Sequence, residues 1–151
     1  MMAGRTIVIR CWLALAGCFV LVLVLAMMAT GCGGAGDEAN MTETQRMKSG
    51  TMDVVVLAPR EGLKHGKGTF LIEFRSTSNG SLVDVGNDVR ASANMPMPGM
   101  PMFASIDVQR TDVAGRYRAS GEFGMAGAWR MTIEWNGPDG RSSVSFTGTV
   151  Q

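Results

Sequence analysis

The sequence predicts an all-β fold for the folded part of the chain. From Thr51 onward, apolar and polar residues alternate with a period of two, as they do on strands that bury one face. Turn-forming residues interrupt this alternation about every eight to twelve positions, and no stretch keeps the apolar period of about 3.6 that a helix requires. About seven short strands of this kind fit an immunoglobulin-like antiparallel β-sandwich, with a small barrel as the competing architecture.

The N-terminal segment predicts export and anchoring. A short basic region precedes an uncharged apolar run, residues 11–28, which is typical of a secretory signal or a membrane span. The run ends in Ala29-Thr30-Gly31-Cys32, which resembles the lipobox of bacterial lipoproteins, whose cysteine is acylated and becomes the first residue of the mature chain. We therefore predict a lipoprotein signal peptide at residues 1–31 and lipidation of Cys32, with an uncleaved N-terminal anchor as the alternative.

Processing at Cys32 would leave the mature chain without a free thiol. Cys11 and Cys18 would leave with the signal peptide, so disulfides, thiolate metal sites and cysteine nucleophiles are excluded as explanations of the mature protein. The signal peptide also carries two of the 14 basic residues, which leaves 12 against 13 acidic ones and a formal charge of about −1. No basic surface that would indicate nucleic-acid binding remains.

The mature chain divides into a tether and one domain. Residues 32–50 are rich in small and polar residues, which predicts a flexible tether. Residues 51–151 are long enough to fold around a single core. We expect a protein of the bacterial cell envelope that is held to the membrane by the lipid on Cys32 and faces the periplasm or the exterior. The choice between inner and outer membrane, and the oligomeric state, stay open.

The predicted strands follow one another through the domain. The first strand ends near Pro59 and the second spans residues 69–75. Because no cysteine pair can brace the sheets, Trp129 or Trp135 must fill the centre of the core. The apolar residues that alternate along the predicted strands are Val54 and Val56; Phe70, Ile72 and Phe74; Val89, Ala91 and Ala93; Ala104, Ile106 and Val108; Tyr117 and Ala119; Trp129, Met131, Ile133 and Trp135; and Val144, Phe146 and Val150.

The segment NMPMPGMPMF, residues 94–103, combines methionine with proline. Proline has no amide hydrogen for a sheet ladder, so this segment is predicted to be a connecting loop at one end of the sandwich. Gly99 allows a bend that would bring two or three thioethers together. Thioethers are soft, uncharged donors, which select Cu(I) or Ag(I) over Zn(II) and over hard cations. The candidate Cu(I) ligands are Met95, Met97, Met100, Met102 and, from a second loop, Met125.

Two other interpretations of this segment stay open. Methionine fills irregular gaps in cores, so the loop could simply close the end of the sandwich while its prolines blunt an edge. A methionine-rich surface can instead bind a protein partner. The single histidine, His65, lies in a polar stretch punctuated by glycine, which favours a solvated side chain over a metal ligand.

No catalytic constellation is present in the sequence. The stretch Gly66-Lys67-Gly68-Thr69 is not a phosphate-binding loop, because its lysine is not followed directly by Ser or Thr and the predicted strands leave no helix after it. A Ser-His-Asp triad would need His65 as its base, and nothing marks the partners. We expect no enzyme activity and no cofactor other than copper.

Three motifs carry a family resemblance. The methionine and proline connection follows an alanine-containing strand, Gly-x-Tyr-x-Ala occurs at residues 115–119, and Met-x-Gly-x-Trp occurs at residues 125–129. From about Gly68 to Val150 the chain resembles the YtkA-like domain, a relative of the FixH group. The resemblance implies an immunoglobulin-like sandwich in an envelope-anchored bacterial protein without established enzyme activity. Related domains occur beside heavy-metal efflux components and, in the FixH group, with the assembly of copper-containing oxidases.

Two departures from the FixH pattern weaken the transfer of an oxidase-assembly role. This chain has a lipobox-like cysteine in place of a clearly retained span, and its methionine loop has no adjoining histidine. Our hypothesis is a non-catalytic envelope lipoprotein that binds or passes Cu(I) through the methionine loop. The alternative is a metal-free accessory that interacts with an envelope complex. The copper hypothesis expects the loop sulfurs to face solvent together.

Overall fold

The computed structural model describes residues 38–137 and 140–151. The predicted signal peptide, Cys32 and the first residues of the predicted tether lie outside these ranges, as do Pro138 and Asp139 of the last hairpin turn. In the part of the chain that the structure describes, no helix is both long and apolar enough to cross a bilayer.

Eight antiparallel strands follow a single turn of 3-10 helix at Glu38–Asn40. The all-β prediction is confirmed, whereas the expected number of about seven strands is one too low. The strands are β1 (Met41–Ser49), β2 (Met52–Pro59), β3 (Gly66–Ser76), β4 (Val89–Met95), β5 (Met102–Arg110), β6 (Arg116–Phe123), β7 (Gly127–Gly137) and β8 (Gly140–Val150).

The additional strand is β1, and within the flexible tether predicted at residues 32–50 it corrects the prediction for residues 41–49. Strand β1 pairs along its length with β2, from Met41 opposite Pro59 to Ser49 opposite Met52. Its sequence is mostly polar because it is an edge strand whose outward residues are exposed, while Met47, which is partly buried, packs against the core. Polar side chains are a common protection of an edge strand, and here they hide its period of two.

The strands form one sheet in the order β1-β2-β3-β6-β5-β4-β7-β8. Strand β5 joins the two sides of the core, since it pairs with β4 up to Ile106 and with β6 from Ile106 onward. The edge strands β1 and β8 approach each other without forming a ladder. The result is a barrel-like sandwich that is nearly closed.

The core lies inside this curved sheet and contains both tryptophans of the domain. Trp135 packs edge-on against Phe74, with ring centroids 5.0 Å apart, and Trp129 packs in the same way against Phe123 at 5.4 Å. Such pairs add about 0.5–1.5 kcal/mol to the stabilisation from burial. The apolar residues predicted to alternate along the strands are all buried or packed against the core.

One carboxylate, Glu73 on β3, is fully buried on the other face of the sheet. Arg75 and Arg116 bind its two oxygens at 2.5 and 2.7 Å. Glu38 lies 3.6 Å from Arg116 and binds Arg118 at 2.6 Å, so the N-terminal turn is tied to β6. A buried carboxylate that lost these partners would be strongly destabilising, which gives the group a structural role.

The antiparallel register collects the loops at two ends of the molecule. We call one the methionine end: it holds the loops 60–65, 96–101 and 124–126, the start of β1 and the last residues of β8. The opposite end holds the turn after β1 and the connections 77–88 and 111–115.

Candidate functional site

The methionine loop is the connection of the β4–β5 hairpin, as the proline content predicts. Met95 and Met102 form the last pair of the ladder, directly opposite each other, and residues 96–101 close the turn. Gly99 has a φ of 83°, which the third residue of a type II turn requires, and Pro98 precedes it at the position where proline is common. The two paired methionines therefore form the base of a short, stiff loop.

The structure divides the candidate ligands by exposure, so the expectation that the loop sulfurs face solvent together is wrong. Met95 is 6% exposed and belongs to the core, whereas Met100 is 72% exposed. Met97 and Met102 lie between these extremes, half-buried and packed against the core. Met125 is 42% exposed. Part of the segment is thus core filler, and part of it remains accessible.

The loop that carries Met125 lies against the paired methionines. A Cβ built on Gly124 would come within 2.9 Å of the Met102 methyl group, and one on Gly127 within 2.9 Å of the Met95 methyl group. A larger residue at either position would force the methionine methyl group to move, and Gly127 also has a φ of 139°, which favours glycine. The β6–β7 loop is therefore in contact with the base of the methionine loop, which brings Met102 next to the loop that carries Met125.

Trp129 fixes the position of that second loop. Its indole N–H donates a hydrogen bond of 3.1 Å to the carbonyl oxygen of Met125. Because the indole ring is fully buried, the backbone of Met125 is held against the core while its side chain stays partly exposed. The Met-x-Gly-x-Trp spacing in the sequence is explained by this bond together with the contact at Gly127.

Hard or borderline ligands do not gather at this end. His65 is exposed on the loop 60–65, as its polar surroundings predict, and its backbone N–H donates to the carbonyl of Gln151 at 2.6 Å. Among residues 38–137 and 140–151, no three His, Cys, Asp or Glu side chains are close enough to share a metal ion. A metal site at the methionine end would therefore depend on thioether sulfur.

The loops of the methionine end differ in charge. No charged residue occurs between Arg90 and Asp107, or between Glu122 and Arg130, so the loops 96–101 and 124–126 are uncharged. The neighbouring loop 60–65 and the start of β3 carry exposed basic residues, and only one of these pairs within the loop, Lys64 with Glu61 at 2.7 Å. The accessible sulfurs thus lie on two uncharged loops with charges of both signs nearby, since Glu61 pairs with Lys64 and the exposed Glu122 lies opposite Lys67 in the ladder of β3 and β6.

The opposite end is closed by a polar network that the sequence did not reveal. Tyr117 donates to the carbonyl of Gly86 at 2.7 Å and to Asp84 at 3.2 Å, and Arg110 binds Asp84 at 2.5 Å and Asn87 at 2.7 Å. The backbone N–H of Gly86, followed by Arg110, lowers the pKa of Asp84. Burial, followed by the Asp84 carboxylate, raises the pKa of Tyr117. Arg110 and Tyr117 are more than 20 residues from Asp84 in the sequence, so no sequence motif predicts this network.

The fold and this end together define a class of protein: a small antiparallel β-sandwich with a methionine-bearing end and, among its described residues, no group of three His, Cys, Asp or Glu side chains that could share a metal ion. The YtkA-like family model matches residues 44–134, so the chain belongs to the YtkA-like family. The match starts within β1, in agreement with β1 being part of the domain, and it includes the methionine loop and Met125.

One solved structure is similar at a low level. It is the crystal structure of "as isolated" FetP of uropathogenic E. coli strain F11, expressed recombinantly in the periplasm of E. coli BL21(DE3). The sequences are 11% identical, the match covers 71% of this chain and 93% of that one, and the TM-score is 0.44. This likeness is too low to support an inference about function. None of the curated proteins matches the chain.

Proposed function

We propose that this protein is a non-catalytic lipoprotein of the bacterial envelope, anchored through Cys32, that binds Cu(I) at its methionine end and passes it on. The anchor is supported by the lipobox-like sequence before Cys32. The immunoglobulin-like character of the sandwich belongs to the same proposal, because its support is the family resemblance.

The observation that carries the copper site is the contact between the two loops. Met102 lies at the base of one loop and Met97 within that loop, both half-buried and packed against the core, and the backbone at Gly124, beside Met125, touches the Met102 methyl group. Small rotations about flexible thioether side chains would let three neutral sulfurs share one soft ion. Met95 lies beneath them as a buried support, and Met100, exposed on the turn, is the least suited of the five.

The residues fit Cu(I) better than other ions. Zinc sites use thiolate, imidazole or carboxylate, and these groups do not cluster in the described part of the chain. Neutral sulfur donors keep their lone pairs at any pH of the envelope and hold Cu(I) without adding charge, so exchange to a partner's ligands needs no proton. This chain's contribution would be to present three thioether side chains from two loops that are in contact.

An anaerobic Cu(I) titration against a competing chelator tests the proposal. We expect a dissociation constant below about 1 μM, with loss of at least about a hundredfold in affinity, or about 2.7 kcal/mol, when Met97, Met102 and Met125 are replaced by leucine. Leucine conserves volume, so the fold should survive. Met100→Leu is the matched control and should leave the affinity unchanged.

Equal affinities for the parent and the triple variant would overturn the copper site. A metal-free accessory of an envelope complex, in efflux or oxidase assembly, would then be the function to test.

A further inference from the structure

The two methionines that are most open to solvent both lie at the methionine end. Met100 is 72% exposed and Met125 is 42% exposed, and no other methionine of the described ranges is exposed to this degree. Copper binding does not explain the exposure of Met100, which is the least suited of the candidate ligands. The remaining methionines of the described ranges are half-buried or buried: Met41, Met47, Met52, Met95, Met97, Met102 and Met131.

The other easily oxidised side chains of the domain are absent or closed off. Residues 38–137 and 140–151 contain no cysteine. Trp129, Trp135 and Tyr117 are at most 1% exposed. Methionine is a common target of oxidants, which convert its thioether to a sulfoxide. In the described part of the chain, Met100 and Met125 are therefore the side chains that combine an oxidisable sulfur with free access of solvent.

Oxidation of a thioether by peroxide depends on water around the sulfur. A lone pair of the sulfur attacks one oxygen of hydrogen peroxide and the O–O bond breaks. The proton of the transferred oxygen passes to the departing oxygen, which leaves as water. The sulfur loses two electrons, which reduce the peroxide, and becomes a sulfoxide. Because charge develops on the departing oxygen, burial of the side chain slows the reaction.

We propose that Met100 and Met125 are oxidation sites, at which hydrogen peroxide or a similar two-electron oxidant forms methionine sulfoxide, while Met95 stays reduced. Met95 is 6% exposed, and its methyl group lies so close to Gly127 that a Cβ there would come within 2.9 Å of it. An oxygen added to Met95 would put a polar group into this packed core.

The two sites differ in what their oxidation changes. Met100 lies on the turn of the β4–β5 hairpin beside Gly99, where an added Cβ would meet nothing within 4 Å, so its sulfoxide would disturb neither the core nor the copper ligands. Met125 is one of the three thioethers of the copper site. Its sulfoxide would offer a hard oxygen donor, which suits Cu(I) poorly. Oxidation of Met125 would therefore prevent copper binding, a consequence that rests on the proposed function.

Peptide mass spectrometry of the full-length protein during treatment with hydrogen peroxide tests the sites, because each sulfoxide adds one oxygen atom. We expect Met100 to react first, Met125 next and Met95 last, with the circular dichroism spectrum unchanged once Met100 and Met125 are converted. The same treatment in urea is the control and should remove the differences in rate. Oxidation of Met95 as fast as Met100 in the folded protein, or loss of the fold when Met100 is converted, overturns the assignment.

Cu(I) titration of the partly oxidised protein separates this inference from the proposed function. A sample oxidised only at Met100 should keep the affinity of the parent. Met100→Leu supplies a protein in which Met125 reacts first, and its affinity should fall at least about tenfold as Met125 is converted. Unchanged affinity there, in a protein that binds Cu(I) before treatment, overturns the oxidant sensitivity of the copper site. Absence of Cu(I) binding before treatment overturns the proposed function, and mass spectrometry alone then decides the oxidation sites.

Discussion

The two ends of this sandwich are closed by different chemistry. At the opposite end, Tyr117, Asp84 and Arg110 fix the connection 77–88 by directional hydrogen bonds and an ion pair. At the methionine end, thioether side chains pack against glycine, and the only hydrogen bond described from a side chain to the loops 96–101 and 124–126 is the one from Trp129 to Met125. Directional bonds specify one geometry, whereas flexible sulfur tolerates several, so the end that can rearrange is the one suited to binding.

The largest effect is expected where methionine serves the core. Met95→Ala should lower the free energy of unfolding by about 2–5 kcal/mol, because it leaves a cavity under the hairpin. Met100→Ala, on the same loop, should change it by no more than about 0.5 kcal/mol. Chemical denaturation of both variants checks this. Equal losses of stability would mean that Met95 does not support the core more than the exposed Met100 does.

A matched pair of glycines compares the ends directly. Gly115 and Gly99 both have a φ of 83°, but a Cβ on Gly115 would lie 2.8 Å from the Val83 carbonyl oxygen, and one on Gly99 would meet nothing within 4 Å. Gly115→Ala should cost about 2–4 kcal/mol, from left-handed strain plus overpacking, and Gly99→Ala about 1 kcal/mol, from strain alone. Urea unfolding curves measure both. A Gly99→Ala loss as large as that of Gly115→Ala would show the methionine end to be as tightly built as the other.

Removal of one hydroxyl group probes the polar network. Tyr117→Phe should lower stability by about 1 kcal/mol, because the Gly86 carbonyl loses its donor in a partly buried setting. The loop 96–101 should keep its hydrogen-exchange rates, since it lies at the other end of the sheet. Thermal unfolding and hydrogen exchange provide the two readouts, and faster exchange in the methionine loop would contradict the independence of the ends.

The smallest expected effect is the contribution of Asp84 to the pH dependence of stability. Because the pKa of Asp84 is lowered in the folded protein, its contribution to stability is present above the ordinary value of 3.8 and is lost as pH falls through the folded pKa. Asp84→Asn should therefore be less stable than the parent near neutral pH, and the difference should shrink below about pH 4. If the difference in stability between parent and variant stayed constant from pH 7 to pH 3, titration of Asp84 would not contribute to the loss of stability in acid.

The sequence predicted the strands well where the physical signal was strong. The alternation through Trp129, Met131, Ile133 and Trp135 could only be a half-buried strand, and the prolines placed the methionine segment in a loop. Strand β1 was missed because its polar outward residues mask the period of two. Glu73, set among apolar neighbours in FLIEF, was a signal of a buried ion pair that could have been used.

The orientation of the sulfurs could not be predicted. No period constrains side chains in a proline-rich loop, and the direction of Met95 depends on Gly127, which is distant in sequence. The same holds for Tyr117 and Asp84, which meet only after the sheet has formed.

X-ray absorption at the copper edge tests the central claim most directly, because it reports the atoms bound to Cu(I) in the folded protein. We predict a first shell of sulfur alone that loses one scatterer in Met102→Leu and is unchanged in Met100→Leu. A first shell of nitrogen or oxygen, or one that is the same in both variants, would contradict a thioether site at the methionine end.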